Sequence, residues 1–99
     1  MQVDIQSIHF KADKKLIDFI SQKIQKTETF ISGVRSADVY LKLESDQEGE
    51  NKLVEIKLNL NGNPIFAKEQ AVSFESATDK VLDKLVAQAK KMKEKSQDK

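Results

Sequence analysis

Four lysines near the end of the chain have a spacing that could form a binding site. Lys80, Lys84, Lys91 and Lys95 fall within a sector of about 60° if this segment is one helix. Like charges four residues apart slightly destabilise a helix, so folding gains nothing from such a row. Binding of a polyanion does gain free energy from the row, because each lysine that contacts a phosphate releases a condensed counterion. The row predicts a nucleic-acid-binding face, with a merely solvated helix face as the alternative.

A second set of cations lies nearer the N-terminus, on one flank of an earlier helix: Lys15, Lys23 and Lys26. If both helices pack side by side on a sheet, the two lysine sets can point away from it and share one exposed surface. An acidic loop would then lie at a sheet end, at Asp46, Glu48 and Glu50. Such charge separation would orient the molecule as it approaches a polyanion, unless the loop only solubilises a hairpin.

Other side chains argue against an enzyme. The chain has no cysteine, which excludes disulfides, thiolate metal sites and cysteine nucleophiles. Its single histidine, His9, excludes a two-histidine metal site. Asp79 and Asp83 are four residues apart among lysines, a setting that favours ion pairing over metal binding. With no glycine-rich phosphate loop, nucleophile elbow or zinc spacing, we expect no catalytic site and no cofactor or metal.

Two aromatic side chains decide whether the sequence predicts base stacking. Phe19 falls near the basic flank of the first helix, where it could stack on a base or pack at the rim of the core. Tyr40 falls on the polar face of its strand without an aromatic partner, so an aromatic platform of the RNA-recognition-motif kind is not supported.

Length and composition indicate one soluble domain. The chain has 99 residues, of which 38% are hydrophobic and 33% charged, and its formal net charge is +1. No apolar run approaches the roughly 20 residues that span a bilayer, and the N-terminus lacks the apolar segment of a signal peptide. We therefore expect a cytoplasmic protein that binds neither a membrane nor a small-molecule substrate.

The periodicity of apolar residues predicts the element order β-α-β-β-β-α. A helix of about 17 residues follows the N-cap Asp13, and a long helix capped by Ser73 runs to about Lys95. Alternation predicts the four strands over 3–8, 37–44, 54–60 and 65–69, with a tight turn at Asn61-Gly62. The fold class is therefore α+β, with two helices on one face of a four-stranded, mostly antiparallel sheet. A single domain covers 1–95, and 96–99 is a frayed basic tail.

The sequence resembles a known family over nearly its whole length. It is similar to the short bacterial ribosome hibernation-promoting factors, within the ribosome-associated inhibitor and sigma-factor modulation superfamily. The matching segments are the opening Met1–Ile5, the Leu16–Phe30 helix, the strand Val39–Glu44, the Asn61-Gly62 hairpin, and Ala77–Leu85 followed by Gln88 and a lysine-rich end.

This resemblance implies a fold related in shape to double-stranded-RNA-binding domains. It also implies binding to the small ribosomal subunit and its rRNA, in the channel between head and body. Members of the family occupy the binding sites of mRNA and of the aminoacyl and peptidyl tRNAs there, which blocks translation in resting cells. Carried over to this chain, the rRNA-facing residues are Lys23, Lys26, Lys84, Lys91, Lys93 and Lys95. Lys93 falls nearer the apolar stripe than the others.

Three departures from the family pattern predict a weaker affinity for RNA. Ser73-Phe74-Glu75 stands where the family usually has Asp, a hydrophobe and Tyr, and Ala87 replaces a common Arg. The loop between the second and third strands is also longer and more acidic. Two other functions remain open, a general double-stranded-RNA binder and a protein-interaction module. Pairing of bound ribosomes into dimers is open as well.

Overall fold

The secondary structure follows the predicted order. The computed structural model describes residues 1–45 and 48–97, with side chains through Lys93 in the last helix. Its elements are β1 (Gln2–Ser7), α1 (Lys14–Lys26), a 3₁₀ turn (Thr27–Thr29), β2 (Val34–Leu43), β3 (Lys52–Leu60), β4 (Ile65–Ala71) and α2 (Phe74–Gln97).

The four strands form one sheet in the order β1-β2-β3-β4. β2 pairs antiparallel with β3, and β3 pairs antiparallel with β4. β1 pairs parallel with β2, placing Ile5 beside Val39. Parallel neighbours need a crossover, which α1 supplies. The predicted fold class is confirmed, and the sheet is mixed because of this one parallel pair.

One face of the sheet carries the core. Val39, Leu41, Ile56 and Leu58 are fully buried under the helices, as the alternation predicted. Leu43 was expected on this same face, but its side chain is 52% exposed. Leu43 pairs with Lys52 at the last position of the β2–β3 ladder, where the strands lead into the loop.

The first helix is shorter than predicted. Asp13 caps it as expected, since its Oδ1 accepts a hydrogen bond from the Leu16 backbone N at 2.8 Å. The α-helix ends at Lys26 rather than continuing for about 17 residues, and the chain tightens into the 3₁₀ turn. There the buried Thr27 hydroxyl donates to the Ile24 carbonyl at 2.6 Å. Gly33, at a φ of 80°, then turns the chain into β2.

The last helix lies across β3 and β4 and contacts α1 along its side. The Ser73 hydroxyl accepts from the Ser76 backbone N at 3.0 Å, which confirms the predicted cap. Val81 and Leu85 are fully buried. No helix within the described residues is long and apolar enough to cross a membrane. Of the predicted frayed tail, 98–99 lie outside the described residues.

Candidate nucleic-acid interface

The basic flank of α1 faces an acidic flank of α2. The two helices start close together, where Lys15 and Glu75 line one cleft. Their later turns also meet, where Lys26 and Asp83 line another cleft. Between these points, the Lys23 Nζ lies 3.5 Å from Asp79 Oδ1. The helices therefore run in the same direction, with charges of opposite sign across the groove between them.

The predicted lysine row of α2 lies on the other flank of that helix. Lys84 forms an ion pair with Glu69 of β4. One turn later, Gln88 Nε2 donates to the Phe66 carbonyl at 2.9 Å. This flank is turned toward β4 and away from α1. The expectation of one shared lysine surface is therefore corrected for the first half of α2, where Glu75, Asp79 and Asp83 separate the two sets.

The predicted RNA-binding lysines differ in how they are partnered. Lys23 and Lys84 hold the ion pairs just given. The remaining predicted lysines with described side chains are exposed, and no ion pair is found for them within that part of the chain: Lys15, Lys26, Lys80, Lys91 and Lys93. The predicted contact at Lys95 lies outside the described side chains.

Cations gather at the end of the molecule where both helices finish. We call this the basic end and define it as Lys26, Lys90, Lys91 and Lys93. The last turns of α2 meet the 3₁₀ turn and Leu60 around a cleft of about 510 Å³. Beyond Asp83, α2 has no carboxylate until Glu94. Between these two carboxylates, α2 carries the three cations that it contributes to the basic end.

The acidic loop lies at the opposite end of a molecule 46 Å long. A hydrogen bond of 3.1 Å anchors the loop to the sheet. In it, Gln70 Nε2, near the end of β4, donates to the Glu50 carbonyl. α2 begins three residues after β4 ends, so it starts beside this loop and runs away from it. Asp46 lies outside the described residues. The acidic loop and the basic end therefore lie at opposite ends of the molecule, and Lys15 lies at the end where the helices begin.

The other candidates take structural roles or stay isolated. Asp79 is an ion-pair partner of Lys23, in line with the sequence interpretation. His9 is exposed and has a φ of 64°. Phe19 is half-buried against the core, with the Lys23 Nζ 5.5 Å from its ring centre, so it packs at the rim. Among the described residues, no three metal-ligating side chains of acidic, histidine or cysteine type come together.

Two residues of this region were missed by the sequence reasoning. Lys90 falls about 80° from Lys80 on a helical projection, outside the predicted lysine row of α2. Phe30 was assigned to the first helix, yet it follows the 3₁₀ turn and is 70% exposed. Lys90 could have been identified from the sequence, because it lies next to Lys91 and close to Lys93.

Comparison of the sequence with known proteins gives one consistent result. The profile of the family described as Sigma 54 modulation protein / S30EA ribosomal protein matches residues 3–97. The chain is 31% identical to a ribosome hibernation promoting factor of Pseudomonas putida over 97 residues, covering 98% of this chain and 91% of that protein. It is 27% identical to a ribosome hibernation promoting factor of Klebsiella oxytoca over 95 residues, covering 96% of each.

Solved structures share the same fold. A ribosomal subunit interface protein from Coxiella burnetii superposes with a TM-score of 0.80 at 16% identity, covering 94% of this chain and 98% of that one. The N-terminal domain of Thermus thermophilus Protein Y superposes with a TM-score of 0.76 at 20% identity, covering 93% and 99%. Both likenesses support the sheet topology and the placement of the two helices.

Proposed function

Because the chain belongs to the Sigma 54 modulation protein / S30EA ribosomal protein family, we propose that it is a ribosome hibernation factor. In this proposal it binds the rRNA of the small subunit in the decoding channel, excludes mRNA and tRNA, and silences translation in resting cells. It acts by blocking this channel on ribosomes in the cytoplasm, and it catalyses no reaction. The observation that carries the proposal is the family match over residues 3–97, together with the 31% identity to a relative named as a ribosome hibernation promoting factor.

The basic end and Lys80 are the surface that we assign to the phosphates of the rRNA. Their lysines have no ion pair among the described residues, so a phosphate meets them without breaking a bond inside the protein. Each such contact gains the entropy of counterion release. Lys23 and Lys84 contribute less, since each must leave a carboxylate first.

The acidic loop orients the protein as it approaches the small subunit. A field that is negative at one end and positive at the other turns the molecule as it nears a polyanion. The basic end then leads into the rRNA while Glu48 and Glu50 stay outside. The same field makes the association rate fall as salt rises, because exposed charges are screened beyond about 10 Å at 0.1 M.

Competition on purified small subunits tests the proposal. We expect the protein to lower the amount of mRNA and tRNA retained on the subunit, and excess mRNA with tRNA to displace the protein. Simultaneous full binding of protein and tRNA would contradict occupation of the decoding channel. Displacement by free double-stranded RNA but not by tRNA would favour the general double-stranded-RNA binder instead.

Releasing Lys84 should strengthen binding to small subunits. Glu69→Gln removes the carboxylate that holds this lysine, leaving its ammonium group available to a phosphate. An exposed ion pair is worth about 0–1 kcal/mol, so the affinity should rise by up to about fivefold. Filter binding at fixed salt measures the change.

The matched control is Glu55→Gln. It breaks the Lys42–Glu55 ion pair of 3.3 Å on the open face of the sheet, away from the helices. It makes the same change in net charge and should leave the affinity close to the parent value. Equal strengthening by both variants would indicate a general charge effect and not a local role for Lys84.

A further inference from the structure

Phe30 is an exposed aromatic ring that lies between two neighbouring clefts. Its side chain is 70% exposed, the largest such fraction among the large hydrophobic residues described. One cleft, of about 510 Å³, is shared with Lys90 and Lys93 of α2. The other, of about 230 Å³, is shared with Lys26 of α1 and with Asp83. The ring therefore stands between cations on both sides.

The backbone holds Phe30 in this position. Its N–H donates to the Thr27 carbonyl at 2.9 Å, and the next N–H, that of Ile31, donates to the same carbonyl at 2.8 Å. Ile31 is 3% exposed and anchors the segment in the core. With Ile31 turned inward, the preceding ring is directed outward. The tight turn thus presents the ring at a fixed place instead of on a loose loop.

The charges around the ring favour a phosphate-bearing ligand. Glu28 lines the larger cleft, but its carboxylate accepts from the Met1 amino group at 2.8 Å. Asp79 lines the smaller cleft and pairs with Lys23. Among the described residues of the two clefts, Asp83 is the carboxylate left without an ion pair. Lys26, which lines the smaller cleft with Asp83, has no ion pair within that part of the chain either, and the same holds for Lys90 and Lys93, which line the larger cleft.

We propose that Phe30 is a stacking platform for one unpaired RNA base, whose flanking phosphates are held by Lys26 on one side and by Lys90 and Lys93 on the other. The inference rests on the proposed function and adds to it a single-stranded rRNA nucleotide as the ligand. Aromatic stacking next to cations is how proteins hold single strands without reading their sequence. A continuous double helix offers no free base face to this ring.

A protein partner fits the same clefts less well. An apolar partner surface would cover Phe30 but would also remove three lysines from water without neutralising them, which is costly. A base with its two phosphates satisfies both the ring and the cations. The proposal therefore commits to a nucleotide, and a protein occupant becomes one outcome of the test.

A single tryptophan tests the inference directly, because the chain contains none. We expect the fluorescence of Phe30→Trp to be quenched when a short single-stranded oligoadenylate is added, and to be unchanged by inorganic polyphosphate, which has phosphates but no bases. We expect Phe30→Leu, which keeps an apolar side chain without a π face, to lower the affinity for the oligonucleotide roughly ten- to hundredfold.

The control is Phe66, which is 50% exposed in β4, where it pairs with Lys57 on the open face of the sheet. Phe66→Trp should show no quenching by the oligonucleotide, and Phe66→Leu should bind as the parent does. No quenching at position 30, or equal quenching by polyphosphate, would overturn the proposal. If Phe30→Leu weakens subunit binding while the oligonucleotide leaves the fluorescence of Phe30→Trp unquenched, the occupant is a ribosomal protein and the base assignment is wrong.

The same variants separate this inference from the function on which it rests. If the parent chain fails to bind small subunits, the proposed function fails. If the parent and Phe30→Leu bind the subunits equally well, only the stacking platform is refuted.

Discussion

Reversing the charge at Lys91 and Lys93 should reduce the affinity for small ribosomal subunits by about a hundredfold. Both lysines are exposed on the last turns of α2, and neither has an ion pair within the described residues. Lys91→Glu/Lys93→Glu removes two phosphate contacts and places two repulsive charges in the same positions. Co-sedimentation with purified subunits over a range of protein concentrations measures the loss.

Two lysines of the open sheet face supply the matched control. Lys57 and Lys68 are exposed on adjacent strands, on the side away from the helices. Lys57→Glu/Lys68→Glu makes the same change in net charge and should bind nearly as the parent does. The salt dependence should also become shallower in the α2 variant alone, since two fewer counterions are released. An equal loss in both variants would mean that only net charge matters.

Truncating Leu85 should destabilise the fold by about 3 kcal/mol. This residue is 0% exposed on the buried side of α2, in the helix that carries the basic end. Leu85→Ala leaves a cavity between α2 and the sheet, because packed neighbours relax only partly. Total stabilities of small domains are about 5–15 kcal/mol, so the effect is a large fraction of the whole. Urea unfolding, followed by circular dichroism, measures it.

Leu43 serves as the control for the same chemical change. Its side chain is 52% exposed at the end of β2, so Leu43→Ala should change the stability by no more than about 0.5 kcal/mol. The comparison tests the correction made to the sequence prediction, which placed Leu43 with Val39 and Leu41 in the core. A loss as large as that of Leu85→Ala would mean that the end of β2 is covered after all.

Local patterns predicted the elements well because burial and capping are local in sequence. Alternation identified the inward residues of β2 and β3, and the side chains of Asp13 and Ser73 identified where the helices begin. Prediction was weaker where an element ends. Leu43 alternates correctly yet lies beyond the helices, and α1 gives way to a 3₁₀ turn after Lys26.

The arrangement of charges could not be obtained from one helix at a time. A helical projection shows which lysines share a ridge, but not which neighbour that ridge faces. The pairs Lys23–Asp79 and Lys84–Glu69 join residues far apart in sequence, so they depend on how α1, α2 and β4 pack. The exposure of Phe30 likewise depends on the 3₁₀ turn. The family resemblance, by contrast, extends over the whole chain and was confirmed by the profile match.

Directed hydroxyl-radical probing tests the central claim most directly. The chain has no cysteine, so Ala87→Cys places a single tethered iron chelate on an exposed position of α2, one turn before the basic end. Ser45→Cys places the same chelate beside the acidic loop. The proposal predicts cuts in the rRNA of the decoding channel from position 87, and weak cuts there from position 45. Cuts from position 87 that fall only on the outer surface of the subunit would contradict it.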